Sequence, residues 1–285
     1  MGSLISSIRR RQFLCRGAGL AILLVAPVGV ARAAIASLNE AINKAGRMRM
    51  LSQRMAKAYC QLGQNILPEQ SRRILDLSMK LYQEHLDDLK AYAPSADIQA
   101  TYAELETIWR KYRQLLISAP NLNDARVIAQ INEDALRVAH LGTTQLELLS
   151  TSSVGRLVNI SGRQRMLSQR MAKFYMMRRW GIGGASLESE AQLAKREFLS
   201  ALDALERAPE NSAKIKGELE LARTQWLFFD QALQQEKAGD KDATHAANVA
   251  TTSERILEVM DRATNLYAQL SAPAAPAAAP RPARR

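Results

Sequence analysis

The chain has 285 residues, room for two domains of ordinary size, each able to bury its own core. Aromatics make up 5% of it and prolines number nine, while Ala, Leu, Glu, Gln, Lys and Arg abound, a mix that favours helix. The net charge of +11 is unevenly placed. Arg9, Arg10, Arg11, Arg16 and Arg32 lie in residues 1–33 and Arg281, Arg284 and Arg285 in the tail, with no acid in either stretch. Setting these eight aside leaves 31 basic against 28 acidic side chains, which excludes the electrostatic footprint of a nucleic-acid binder.

Residues 1–33 read as an export signal. The basic stretch Arg9-Arg10-Arg11 precedes an apolar run from Gly17 to Val30 that is short for a bilayer span, and Ala31-Arg32-Ala33 supplies a small-x-small cleavage pattern. Arg10-Arg11 followed by Gln12-Phe13-Leu14 resembles the twin-arginine signature, which implies export to the periplasm in a folded state. An ordinary secretory signal and an uncleaved membrane anchor are the alternatives. Cys15 leaves with a cleaved signal, so Cys60 is the one cysteine of the mature chain and belongs to the core rather than to a disulfide.

From Ala34 on, helix-period segments alternate with turn signals. A first module, 34–150, holds helices near 35–66, 69–92, 97–118 and 123–150, separated at Pro68, Ala93-Pro94-Ser95 and Pro120-Asn121. A second, 151–271, holds helices near 154–181, 186–207, 210–237 and 241–271, separated at Gly181-Ile182-Gly183-Gly184, Ala208-Pro209 and Gly239-Asp240. The fold class predicted is all-α, two tandem up-and-down four-helix bundles. No proline stands between Asn123 and Trp180, and Ser150-Thr151-Ser152-Ser153 is a mild interruption, so a long shared helix stacking the bundles end to end is expected. A turn at Ser152–Gly155 would lay them side by side instead. The Ala/Pro/Arg-rich stretch 272–285 is expected to be disordered.

The two modules share an internal repeat. Asn43 to Tyr59 reads NKAGRMRMLSQRMAKAY and Asn159 to Tyr175 reads NISGRQRMLSQRMAKFY, identical at 13 of 17 positions at an offset of 116. Trp109 and Trp226, 117 apart, are expected core anchors of equivalent helices. On a helical wheel Ala41, Ala45, Met48, Ser52, Met55 and Tyr59 form one buried stripe, Arg47 and Arg54 project from the opposite side, and Arg49 lies on the flank of the stripe. Neither Arg49 nor Arg165 has an acid within a helical turn. Ala41 to Pro68 holds five basic residues and Ser150 to Leu187 seven, without one acid in either. A guanidinium beside a packed seam needs a negative partner, and its planar fork suits a small oxyanion. Gly46 and Gly162, one turn before the arginines, allow close backbone approach, and Ser52 and Ser168 offer neutral donors. The other reading pairs both arginines with acids of another helix, such as Glu147 or Glu254.

The string Asn-x-x-Gly-Arg-x-Arg-Met-Leu-Ser-Gln-Arg-Met resembles the first-helix signature of the sensor domain shared by NarX-type nitrate/nitrite sensor kinases and PilJ-type pilus chemotaxis transducers. The resemblance covers about 17 residues per copy. It implies periplasmic four-helix bundles in which nitrate or nitrite is held where two first helices meet, in a homodimer or pseudo-dimer, by Arg49 after Gly46 and by Arg165 after Gly162. Family members carry a second membrane segment and an output region. Nothing after Leu270 is suited to either, so signalling through a membrane sensor kinase or chemoreceptor is expected.

Other constellations carry less. His85, His140 and His245 lack the Glu-x-x-His pattern of di-iron bundles and read as core or solvated residues. Met48, Met55 and their neighbours read as packing rather than a copper site, and no catalytic, cofactor or metal motif is found. The expectation is a periplasmic nitrate or nitrite sensor module that is not an enzyme. A pilus or chemosensory adaptor without a ligand is the alternative.

Overall fold

The computed structural model describes residues 35–234 and 243–270, so the expected export signal, the Gly239-Asp240 break and the tail 272–285 lie outside the described residues. Within them are eight α-helices and no strand: α1 (Leu38–Gly63), α2 (Pro68–Tyr92), α3 (Ala96–Leu116), α4 (Leu122–Leu148), α5 (Ser153–Arg179), α6 (Ala185–Glu206), α7 (Ala213–Gln234) and α8 (Ala243–Ala268). All eight predicted helices are present. Their starts follow local chemistry. Ser37 Oγ accepts the Glu40 amide at 3.1 Å while the Glu40 carboxylate accepts the Ala36 amide at 2.9 Å, a reciprocal cap on α1. Pro68 opens α2, and Ser95 and Asn121 cap α3 and α4.

α1 packs on α2 and α4, and α3 closes a four-helix ring by packing on α2 and α4; α5, α6, α7 and α8 repeat the pattern. The most extensive helix contact joins the rings through α1 and α5. These two helices run parallel, because Gly46 meets Gly162 near their starts, Lys57 meets Gln169 further on, and Gly63 lies against Trp180 near their ends.

Two expectations change. The shared helix is not formed: α4 ends at Leu148 and α5 starts at Ser153. The Ser150 amide turns back to Glu147 O at 2.8 Å, and its side chain rests on Gly155, where a Cβ would overlap it. The rings therefore lie side by side. The single stripe expected on α1 is also too narrow. From Ala41 to Gln61 only Lys44, Arg47 and Arg54 are partly exposed, since α2, α4 and α5 surround the helix. Met48 and Met55 are core, as is Cys60, whose thiol burial pushes up to about 12.

The tryptophans anchor equivalent places. Trp109 on α3 lies 4.4 Å from Tyr82 and 6.2 Å from Tyr112, and Trp226 on α7 lies 4.7 Å from Phe198 and 6.1 Å from Phe229. The repeat thus extends from the string into the cores. Gly155→Leu is expected to lower unfolding free energy by about 2 kcal/mol in urea titration, since its side chain has no room beneath Ser150.

Candidate functional site

Arg49 and Arg165 come together at the α1–α5 crossing. A Cβ on Gly46 would lie 3.9 Å from Gly162 Cα and 3.3 Å from Nη2 of both arginines, and one on Gly162 would lie 3.2 Å from Arg165 Nη2. The two glycines let the helices close up with both guanidiniums over one spot. Each arginine is fully buried and reaches across the seam. Arg49 Nη2 donates to Asn159 Oδ1 at 2.7 Å, and Arg165 Nη2 donates to Asn43 Oδ1 at 2.9 Å. These asparagines are the first residues of the repeated string.

The symmetry breaks at Nη1. Arg165 Nη1 donates to Asp261 Oδ1 at 2.5 Å, whereas Arg49 Nη1 lies 3.2 Å from His140 Nδ1. His140 on α4 and Asp261 on α8 hold corresponding positions, since Asn132-Glu133-x-x-Leu136 aligns with Ser253-Glu254-x-x-Leu257 at an offset of 121. Burial, with Arg49 and Arg163 adding to it, pushes His140 down to about 4, so it is neutral at pH 7 and accepts from Arg49. Burial and then the charges of Arg163 and Arg165 bring Arg49 down to about 9, still cationic at neutral pH. Arg165 falls to about 10 by burial, with Asp261 opposing. Of the acids named in advance, Glu147 reaches Arg49 only through the side-chain amide of Asn159, and Glu254 goes elsewhere. Arg165 is therefore held by an internal carboxylate, and Arg49 has none at hydrogen-bond distance.

Ser52 and Ser168 do not serve the crossing as side-chain donors. Their hydroxyls donate to the backbone oxygens of Arg49 and Arg165, at 2.8 and 2.9 Å, within their own helices. The basic patches also prove to be neutralised, by acids from distant helices. Arg54 and Lys57 share Glu254 at 2.5 Å each, and Arg170 and Lys173 share Glu133 at 2.7 and 2.6 Å. Lys57 and Lys173 are buried, and burial brings Lys173 down to about 8. Glu254 is partly buried, but Lys57 and Arg54 outweigh the cost of that burial and hold its carboxyl at about 2. Asn43, Asn159, His140, Asp261 and the two lysine–glutamate pairs were missed by sequence reasoning. The 121-residue alignment of α4 with α8 was the signal that could have found four of them.

Among the described residues no group of three or more His, Cys, Asp or Glu is placed to hold a metal ion, and no helix is long and apolar enough to cross a membrane.

Residues 34–137 match the PilJ family, described as type IV pili methyl-accepting chemotaxis transducer N-term. The matched span carries Asn43, Gly46, Arg49 and Lys57 and ends three residues before His140. No curated protein and no solved structure matches the chain.

The pH dependence of stability should follow the shared carboxylates. Glu254 stays ionised in the folded chain down to about 2, while an unfolded glutamate takes up its proton near 4.3. Between those values the unfolded state binds more protons, so stability present above about pH 5 is lost as pH falls towards 2. Glu254→Gln should cost about 3 kcal/mol at pH 7 and flatten that acid limb in urea titrations at several pH values.

Proposed function

We propose that the chain is an exported sensor module made of two PilJ-type copies, 34–150 and 151–271, which takes a nitrate or nitrite ion at the α1–α5 crossing. It would pass its state to a membrane partner, a sensor kinase or chemoreceptor. The observation that carries this reading is Arg49: a fully buried cation, beside a second arginine, with a neutral histidine where its counterpart has an aspartate. Nε of Arg49 and of Arg165 are buried without hydrogen-bond partners, so each guanidinium keeps a donor for a planar anion. Gly46 and Gly162 provide the close approach, as the resemblance implies. In this mechanism an anion bridging the two guanidiniums replaces the asparagine oxygens on them. The seam then rests on a different set of bonds, and α1 shifts slightly against α5. Placement in the periplasm rests on residues 1–33.

Calorimetric titration of the purified chain with nitrate and with nitrite tests the reading. Saturable binding of one ion per chain is expected, lost in Arg49→Ala. Absence of binding, or binding unchanged in an Arg49→Ala/Arg165→Ala variant, removes the reading. His140→Asp is a sharper probe. It gives Arg49 the internal carboxylate that Arg165 already has, and should weaken nitrate binding tenfold or more while leaving the thermal midpoint unchanged or raised.

A second reading has its own observation. Leu221, Leu227 and Phe228 stand exposed on α7, which suits an adaptor that docks on a pilus or chemosensory complex without a ligand. Cross-linking in intact cells followed by purification would then recover a membrane partner through α7, and a freely diffusing protein would count against it.

A further inference from the structure

A cleft of about 430 Å³ opens between α1, α2 and α8, and Asp261, the partner of Arg165 Nη1, stands in its wall. Its size falls within the range of small-molecule sites. Met50, Leu51, Leu81 and Leu257 form apolar walls, while Arg47, Arg54, Arg255 and His85 share the polar part with Glu254, Glu258 and Asp261. His85 is 7% exposed, and neither of its ring nitrogens has a hydrogen-bond partner. Nε of Arg47, lining the same cleft, is likewise buried and unpartnered. Buried polar atoms left in this condition are uncommon and costly, and here three of them line one cavity.

The chemistry of those atoms selects an acceptor. Arg47 Nε is a donor, and burial with the charges of Arg47 and Lys44 holds His85 neutral at about 4, so it presents one N–H and one lone pair. The three carboxylates of the lining are already engaged by cations of the fold. Asp261 is shared by Arg47 and Arg165, Glu254 is shared by Arg54 and Lys57, and Glu258 is bonded to Arg262. Arg255 adds an exposed cation at the rim.

The second half of the chain contains an internal counterpart. At the offset of 116, Arg163 corresponds to Arg47 and Glu197 to Leu81, and the stacking of Tyr82 on Trp109 and of Phe198 on Trp226 places α2 and α6 in that same register. Arg163 Nη2 donates to Glu197 Oε2 at 2.6 Å. There the fold supplies a carboxylate to the arginine from its own α6. In the first cleft a leucine stands in that place, and Arg47 turns its Nη2 to Asp261 at 2.8 Å while its Nε keeps no partner.

We propose that the cleft between α1, α2 and α8 is a second ligand site, and that it takes a small apolar monocarboxylate. The carboxylate accepts from Arg47 and His85, as Glu197 accepts from Arg163, and the hydrocarbon body lies against Leu51, Leu81 and Leu257. An inorganic oxyanion would leave those walls uncovered, which separates this site from the crossing.

Benzoate, benzyl alcohol and nitrate serve as probes in calorimetric titrations of the full chain. Benzoate is expected to bind saturably, benzyl alcohol at least about tenfold more weakly, and nitrate should not compete with benzoate. His85→Phe should weaken benzoate about tenfold or more. Leu81→Glu rebuilds the arrangement of the second cleft on a partly exposed position and should abolish benzoate binding with the helical circular dichroism unchanged. Arg49→Ala should leave benzoate binding intact, so the site stands or falls separately from the nitrate reading. Benzoate failing to bind, benzyl alcohol binding as well as benzoate, or Leu81→Glu binding benzoate like the unaltered chain would each overturn the proposal.

Discussion

Four cations without exposed surface, Arg49, Lys57, Arg165 and Lys173, lie along the contact of α1 with α5, and much of the structure is arranged around their charge. Removing a guanidinium or ammonium from water is costly unless a partner of opposite sign or good hydrogen bonds replace the water. α1 and α5 carry no acid over the buried stretch, so the partners arrive from outside: Glu133 on α4, and Glu254 and Asp261 on α8. Glu254 reaches the first ring from the second, and Glu133 does the reverse. Ion pairs of this kind add little net stability over apolar packing, but they are expensive to break. They therefore fix the register of α1 against α5. Lys57 finds Gln169, Ser253 and Glu254 together in the observed alignment, and a slip of one turn would separate it from all three. The same requirement keeps the rings side by side, because stacked end to end they would leave these cations without counter-charges.

A repeated string within one chain permits what a symmetric dimer forbids. In two identical protomers, corresponding arginines would have identical partners. Here the two repeated strings meet different partners. Asp261 compensates Arg165, while His140, neutral and accepting, orients Arg49 without cancelling its charge. Glu197 serves Arg163, while Leu81 leaves Arg47 to turn to Asp261. The lysine–glutamate pairs and the aromatic clusters about Trp109 and Trp226 are retained in both halves. Retained positions carry the packing, and the changed ones alter which cation is left short of negative charge.

The helices and their breaks were legible because their signals are local. Apolar periodicity, Pro68 at the head of α2 and Asn121 before α4 act within one or two turns. The repeated string likewise placed Gly46, Arg49, Gly162 and Arg165 on equivalent helices, and their burial together needed only that the two strings meet. The sequence by itself thus determined the helical class, the repeated string and the positions of the unusual arginines. Only the tertiary structure decided that Ser150 folds onto Gly155, that Arg165 is already compensated and Arg49 is not, and that Ser52 and Ser168 bond to their own backbone. The reason is distance along the chain. His140 lies 91 residues from Arg49, Asp261 lies 96 from Arg165 and Glu254 lies 197 from Lys57, so no local pattern records which charge meets which.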